Sequence, residues 1–286
     1  MEIERVGVVG CGLMGSGIAE ASARAGLDVL VVDLDQASLD RGRERIVKSI
    51  TRAQRAGKLS EADEEAALGR IGYSTDIGVL ADRQLVIEAV VVAEAEKVAV
   101  FEALDKVVQD PEAVLASNTS SIPIMKLAMA TGRPSQVIGI HFFNPVPVLP
   151  LVELVTSLLT SDETAAVADH FATAQLQKQV IRSQDRAGFI VNALLIPYIL
   201  SAVRMLESGF ATAVDIDLGM VKGCAHPMGP LALADLIGLD TTMAVANSLY
   251  EEFKEPLYAP PPLLARMVEA GLLGRKSGRG FYDYKA

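Results

Sequence analysis

Gly10-Cys11-Gly12-Leu13-Met14-Gly15 follows the β-branched run Val6–Val9 directly and opens a helical stretch, Met14–Ala25. Alone, three spaced glycines say little, because such triplets arise by chance. Here a second apolar run, Val29–Val32, follows the helical stretch and ends at Asp33, 23 residues after Gly10. Strand, glycine turn, helix, strand and terminal acid in that order form the fingerprint of a dinucleotide-binding unit. Gly10 allows the tight turn, Gly12 admits a pyrophosphate to the backbone, and Gly15 lets helix and strand pack closely. Leu13 and Met14 complete the loop, and the helix N-terminus offers N–H groups to phosphate oxygens. A carboxylate at Asp33 accepts hydrogen bonds from ribose hydroxyls and repels a 2′-phosphate, which favours NAD over NADP. The competing account is a structural glycine turn beside a surface acid.

The alternation continues outward from this unit. Further strands are expected at Leu85–Ala89, Val114–Ala116 and Val137–Ile140, with helices at Ala37–Gly57, Ala93–Val108 and Ile124–Ala130. Continuous apolar strands separated by helices predict a parallel sheet covered on both faces. After Asp185 the pattern becomes helical throughout: Gly188–Gly209, then 213–221, 231–254 and 262–271, punctuated by Pro227, Pro230, Pro256 and Pro260–Pro262. The expectation is an α/β chain with a Rossmann-type, doubly wound, mostly parallel sheet over residues 1–184, and an all-helical C-terminal domain over 185–286.

Composition narrows the function. Half of the 286 residues are hydrophobic and 22% are charged, which describes a globular chain with a sizeable core. A formal net charge of −10 argues against a nucleic-acid partner. No apolar run approaches the length of a bilayer span, so no membrane association is expected. No secretory or organelle leader is recognisable ahead of Val6. The two cysteines, Cys11 and Cys224, have neither metal spacing nor a disulfide framework. These features fit a reducing cytoplasm.

Of three histidines, His141 is the catalytic candidate. It ends the run Val137–Ile140, and ligands of doubly wound sheets gather at the carboxyl ends of strands. The ordinary pKa of a histidine, about 6.5, suits a general base near neutrality. A proline-rich loop leads on to Leu151-Val152-Glu153-Leu154-Val155. If the two runs form an antiparallel hairpin turning near Pro147, Glu153 falls opposite His141, where it would fix the tautomer and stabilise the imidazolium. A polar cluster, Ser117-Asn118-Thr119-Ser120-Ser121, stands at the end of another strand. Asn192 interrupts the apolar run Phe189–Leu194. It suits a polar site, and an interhelical hydrogen bond accounts for it at least as well. His170 reads as a surface-helix residue and His226 as a loop residue.

Taken together, Gly10–Gly17 (GCGLMGSG), Ser117–Ser121 (SNTSS), His141–Pro147 (HFFNPVP), Leu151–Val155 (LVELV), Gly188–Asn192 (GFIVN), His226–Pro230 (HPMGP) and Gly278–Tyr282 (GRGFY) resemble the L-3-hydroxyacyl-CoA dehydrogenase family, in order and from residue 5 to the C-terminus. The resemblance is greatest to the bacterial single-function members acting on 3-hydroxybutyryl-CoA. It implies an NAD-dependent oxidoreductase for CoA thioesters, with His141 as general base, Glu153 as its partner, and Ser120 and Asn192 on the substrate oxygens. It also implies Glu88, Asn118 and Asn144 around the cofactor, and a homodimer built through the helical domain. One departure is visible. Glu88-Ala89-Val90-Val91-Val92 lacks the second acid that many relatives carry, so Val92 puts the bracing on the nicotinamide side in doubt.

Coenzyme A carries several phosphate charges, and the segment after the second strand is locally basic. Arg45, Lys48, Arg52 and Arg55 recur at helical spacing, with Lys58 just beyond. Two readings of this stripe stand level: an anchor for the 3′-phosphate end of coenzyme A, and an ordinary solvated helix face. The rival functions are a related dehydrogenase acting on a carrier-bound acyl chain or a free hydroxy acid, and a non-catalytic NAD-binding protein.

Overall fold

The apolar runs of the first half assemble into one sheet. In a computed structural model, which describes residues 2–90 and 94–284, its strands are β1 (Arg5–Val9), β2 (Asp28–Val32), β3 (Ile71–Ser74), β4 (Leu85–Glu88), β5 (Val114–Ser117), β6 (Val137–Phe142), β7 (Leu151–Thr156) and β8 (Gln179–Gln184). Their order is β3-β2-β1-β4-β5-β6-β7-β8. The first six run parallel, β7 turns back antiparallel to β6, and β8 runs parallel to β7. Every residue of β4, β5 and β6 is buried, as strands covered on both faces require. The chain winds outward from β1 to β3 and then crosses to β4, so the carboxyl ends of β1 and β4 flank the point where the winding reverses.

The helices of this unit are α1 (Leu13–Arg24), α2 (Gln36–Arg55), α3 (Glu61–Gly69), α4 (Glu94–Val107), the short α5 (Ile124–Ala128) and α6 (Asp162–His170). Side-chain caps fix several starts. Asp35 accepts the Ser38 N–H at 2.7 Å ahead of α2, and Ser161 accepts the Thr164 N–H at 3.1 Å ahead of α6. Ser60 and Asp63 form a reciprocal capping box at α3.

The chain divides into two compact units, Met1–Arg186 and Ala187–Ala286. The second holds α7 (Val191–Glu207), α8 (Ala213–Gly223), α9 (Pro230–Ile237), α10 (Leu239–Phe253) and α11 (Pro262–Glu269) around a core that includes Ile199, Leu200, Val203, Leu231, Leu249 and Leu264. Two buried acids organise it. Asp217 accepts the N–H groups of Leu231 and Ala232 at the start of α9. Asp235, fully buried, accepts the Phe281 and Tyr282 N–H groups at 2.9 and 3.0 Å and the Tyr284 hydroxyl at 3.0 Å. The GRGFY and HPMGP motifs therefore serve packing: a Cβ on Gly280 would overlap the Asp235 carboxylate, and one on Gly229 would overlap the Asp217 side chain.

Several expectations need correction. The stretch 231–254 is two helices, because Gly238 adopts φ +102° between them. The helix expected from Gly188 begins only at Val191, after positive φ at both Gly188 and Phe189. β3, α3 and β8 have no counterpart among the expected elements. Finally, β6 runs on to Phe142, so His141 lies within the strand rather than beyond it. Among the described residues, no helix is long and apolar enough to cross a membrane.

Candidate active site

Antiparallel pairing of β6 with β7 sets Gly139 opposite Val155, Ile140 opposite Leu154 and His141 opposite Glu153. His141 Nδ1 lies 2.7 Å from Glu153 Oε2. Glu153 is fully buried and His141 is 7% exposed, so the pair is shielded from water while the ring keeps a narrow opening. A carboxylate only accepts, so this contact assigns the proton to Nδ1 and makes Nε2 the basic nitrogen. The Phe143 ring lies against the imidazole, with centroids 4.6 Å apart.

The glycine loop joins β1 to α1. Gly10 adopts φ +99°, and a Cβ there would meet the Ala89 carbonyl oxygen at 2.7 Å. A Cβ on Gly15 would overlap the Gly10 oxygen, so turn and helix touch. Around Gly12, the N-cap of α1, nothing lies within 4 Å of the equivalent position. That open cradle, at a helix end whose first N–H groups have no helical acceptors, fits a pyrophosphate. Leu13 is 57% exposed at its rim, and Met14 is half-buried. Asp33 closes β2, its Oδ2 accepting the Cys11 N–H at 2.6 Å and its Oδ1 the Leu34 N–H at 2.7 Å. Burial pushes the Cys11 thiol up from its ordinary pKa, against an opposing hydrogen bond from Ser16.

Glu88 ends β4, where its carboxylate is enclosed. Lys97 Nζ and the Ser117 hydroxyl donate to it, each at 2.6 Å, and the Val90 N–H at 2.7 Å. The side chain is consumed in bracing the loops after β4 and β5. Asn118 Oδ1 accepts the Phe142 N–H at 2.8 Å, tying the β5 loop to the strand that carries His141. Thr119 Oγ1 accepts the Ile122 N–H at 3.0 Å and shapes the turn holding half-buried Ser120. Lys97 and the role of Thr119 are not among the sequence expectations. A signal for Lys97 exists: it shares the buried face of α4 with Phe101 and Leu104, and a lysine on a core face needs a buried acid.

Other candidates are more dispersed. Asn144 is exposed in the β6–β7 loop. Asn192 lies half-buried in the first turn of α7, in the second unit. Lys48, Arg52 and Lys58 are exposed, with Lys48 paired to Glu44 at 2.7 Å. Arg45 leaves the expected stripe: it turns onto the glycine loop, donating to Cys11 O at 3.1 Å and Ser16 Oγ at 2.9 Å. Val92 lies outside the described residues. His170 ends α6, and His226 Nδ1 lies 3.2 Å from the Tyr198 hydroxyl.

Residues 5–186 match the family described as 3-hydroxyacyl-CoA dehydrogenase, NAD binding domain, and residues 188–284 match the C-terminal domain of the same family. The chain belongs to the 3-hydroxyacyl-CoA dehydrogenase family. A 3-hydroxybutyryl-CoA dehydrogenase of Mycobacterium tuberculosis is 62% identical over 282 residues, 99% of each chain. Among solved structures, FadB2 of M. tuberculosis superposes with a TM-score of 0.98 at 62% identity, covering 99% of this chain and 100% of that one. The (S)-3-hydroxybutyryl-CoA dehydrogenase PaaH1 of Ralstonia eutropha gives 0.94 at 47% identity, with both chains covered in full. This 3-hydroxyacyl-CoA dehydrogenase is thus an NAD-dependent oxidoreductase whose first unit is the cofactor domain.

Proposed function

We propose that the chain interconverts (S)-3-hydroxybutyryl-CoA and acetoacetyl-CoA, with His141 as the proton-transfer group. The His141–Glu153 contact carries this reading. Nε2 of His141 takes the proton of the substrate 3-hydroxyl, and Glu153 stabilises the imidazolium that results. In the reducing direction the same imidazolium returns the proton. Ser120 hydrogen-bonds the substrate oxygen and orients C3, and Asn118 and Asn144 border the cofactor. Bound NAD supplies the hydride acceptor. The open cradle at Gly12 and the acid at Asp33 support the choice of NAD. Glu88 acts on the cofactor only through the loops it braces. Lys48, Arg52 and Lys58 remain the candidates for the 3′-phosphate of coenzyme A.

The relatives' names support a short acyl chain. A homodimer is supported by apolar residues left exposed on the second unit: Phe210, Val214 and Leu218, at successive four-residue spacing into α8. Two free cysteines support a cytoplasmic location. The deciding experiment follows NADH and NADPH consumption with acetoacetyl-CoA, a carrier-bound acetoacetyl group and free acetoacetate. Rapid NADH oxidation with the CoA thioester alone is expected. Preference for NADPH would overturn the role of Asp33, and preference for another acyl form would overturn the substrate.

A further inference from the structure

Arg45 is spaced with the exposed basic residues of α2 yet does not join them. Its Nη1 donates to the Cys11 carbonyl at 3.1 Å and to Ser16 Oγ at 2.9 Å, and Ser16 Oγ in turn donates to the Gly12 carbonyl at 2.6 Å. Gly42, three residues earlier on the same helix, lies against the same loop residue: a Cβ there would overlap Cys11 Sγ and stand 2.6 Å from Cys11 O. Helix α2 is therefore docked on the glycine loop at Cys11. The opposite side of that residue is held by Asp33, whose Oδ2 accepts the Cys11 N–H at 2.6 Å.

We propose that Arg45 is a positioning residue for cofactor binding, which sets the plane of the Cys11–Gly12 peptide. In a trans peptide the C=O and the following N–H point in opposite directions. With the Cys11 oxygen held towards Arg45, the Gly12 N–H points away from α2. Asp33 restrains the preceding peptide through the Cys11 N–H, so the rotation that would turn the Cys11 carbonyl into the cradle is opposed at both ends. The carbonyl oxygen, a repulsive neighbour for a pyrophosphate, is kept out, and the guanidinium adds a positive charge beside the loop. This inference rests on the reading of the loop as the cofactor cradle.

The test compares NADH dissociation constants, measured by fluorescence titration, for the wild type, Arg45→Met and Arg41→Met. Arg41 bonds Ser38 on its own helix and controls for loss of one positive charge. Arg45→Met is expected to weaken NADH binding about tenfold, as for loss of a charge-assisted hydrogen bond. Its kcat at saturating NADH and its KM for acetoacetyl-CoA should stay near wild type, and Arg41→Met should bind normally. Unchanged NADH affinity in folded Arg45→Met, or equal weakening by Arg41→Met, would overturn the proposal. A rise in KM for the thioester alone would also overturn it and return Arg45 to the coenzyme A stripe. Should Arg45→Met not fold, Arg45→Gln, too short to span both bonds, is judged by the same criteria. Failure of the wild type to bind NADH would remove the cradle itself, and this proposal with it.

Discussion

His141 and Glu153 face each other across the antiparallel pairing of β6 with β7, with Nδ1 and Oε2 2.7 Å apart. The reversal of direction between these strands is what lets two residues twelve apart in sequence share one buried contact. His141→Ala should abolish nearly all turnover while leaving NADH affinity unchanged. Fluorescence titration beside steady-state kinetics checks this, and loss of NADH binding in the folded variant would contradict the assignment.

Glu153→Gln keeps a hydrogen-bonding side chain and removes the charge that stabilises the imidazolium. A fall in kcat of about a hundredfold to ten-thousandfold is expected, with little change in NADH affinity. A variant with wild-type kcat would show that Glu153 only fills space.

Charge reversal of Lys48 and Arg52 together should raise KM for CoA thioesters without changing KM for NADH. The effect should shrink as salt is added, because both side chains are exposed. Equal KM values for wild type and variant would leave the stripe as a solvated helix face.

Lys97→Ala would leave the Glu88 carboxylate without its buried counter-ion. Destabilisation of the first unit by about 3–5 kcal/mol is expected. Chemical denaturation measures it, and a stability within error of wild type would mean that the Ser117 and Val90 donors suffice.

The site is legible in the sequence where chemistry and periodicity coincide. The glycine loop and Asp33 sit at the ends of apolar strands, and a hairpin turning near Pro147 gives the His141–Glu153 register that the β6–β7 pairing shows. Elements at the margins are harder to read. β8 is half-exposed and polar, so it lacks an apolar signature, and β3 is a four-residue edge strand containing a glycine. The capping box of Ser60 and Asp63 marks the start of α3, but its acidic sequence offers only one buried residue. Arg45 shows a further limit. Helical spacing groups it with Lys48 and Arg52, while a long side chain can turn from its row to reach a neighbouring loop.

Asp235 holds the GRGFY stretch by backbone hydrogen bonds, Asp217 holds Leu231 and Ala232 just after HPMGP in the same way, and both acids lie too close for any side chain on Gly280 or Gly229. These stretches answer to the mechanics of the helical unit, whereas the chemistry proposed for His141 and Glu153 belongs to the sheet unit. A descendant of this chain that gave up turnover could let the histidine drift at once, yet it would have to keep both glycine motifs for as long as it kept a folded second half. The stretches that most readily reveal kinship are thus silent about whether a relative still works, a question that the proposed mechanism refers to the imidazole and its carboxylate.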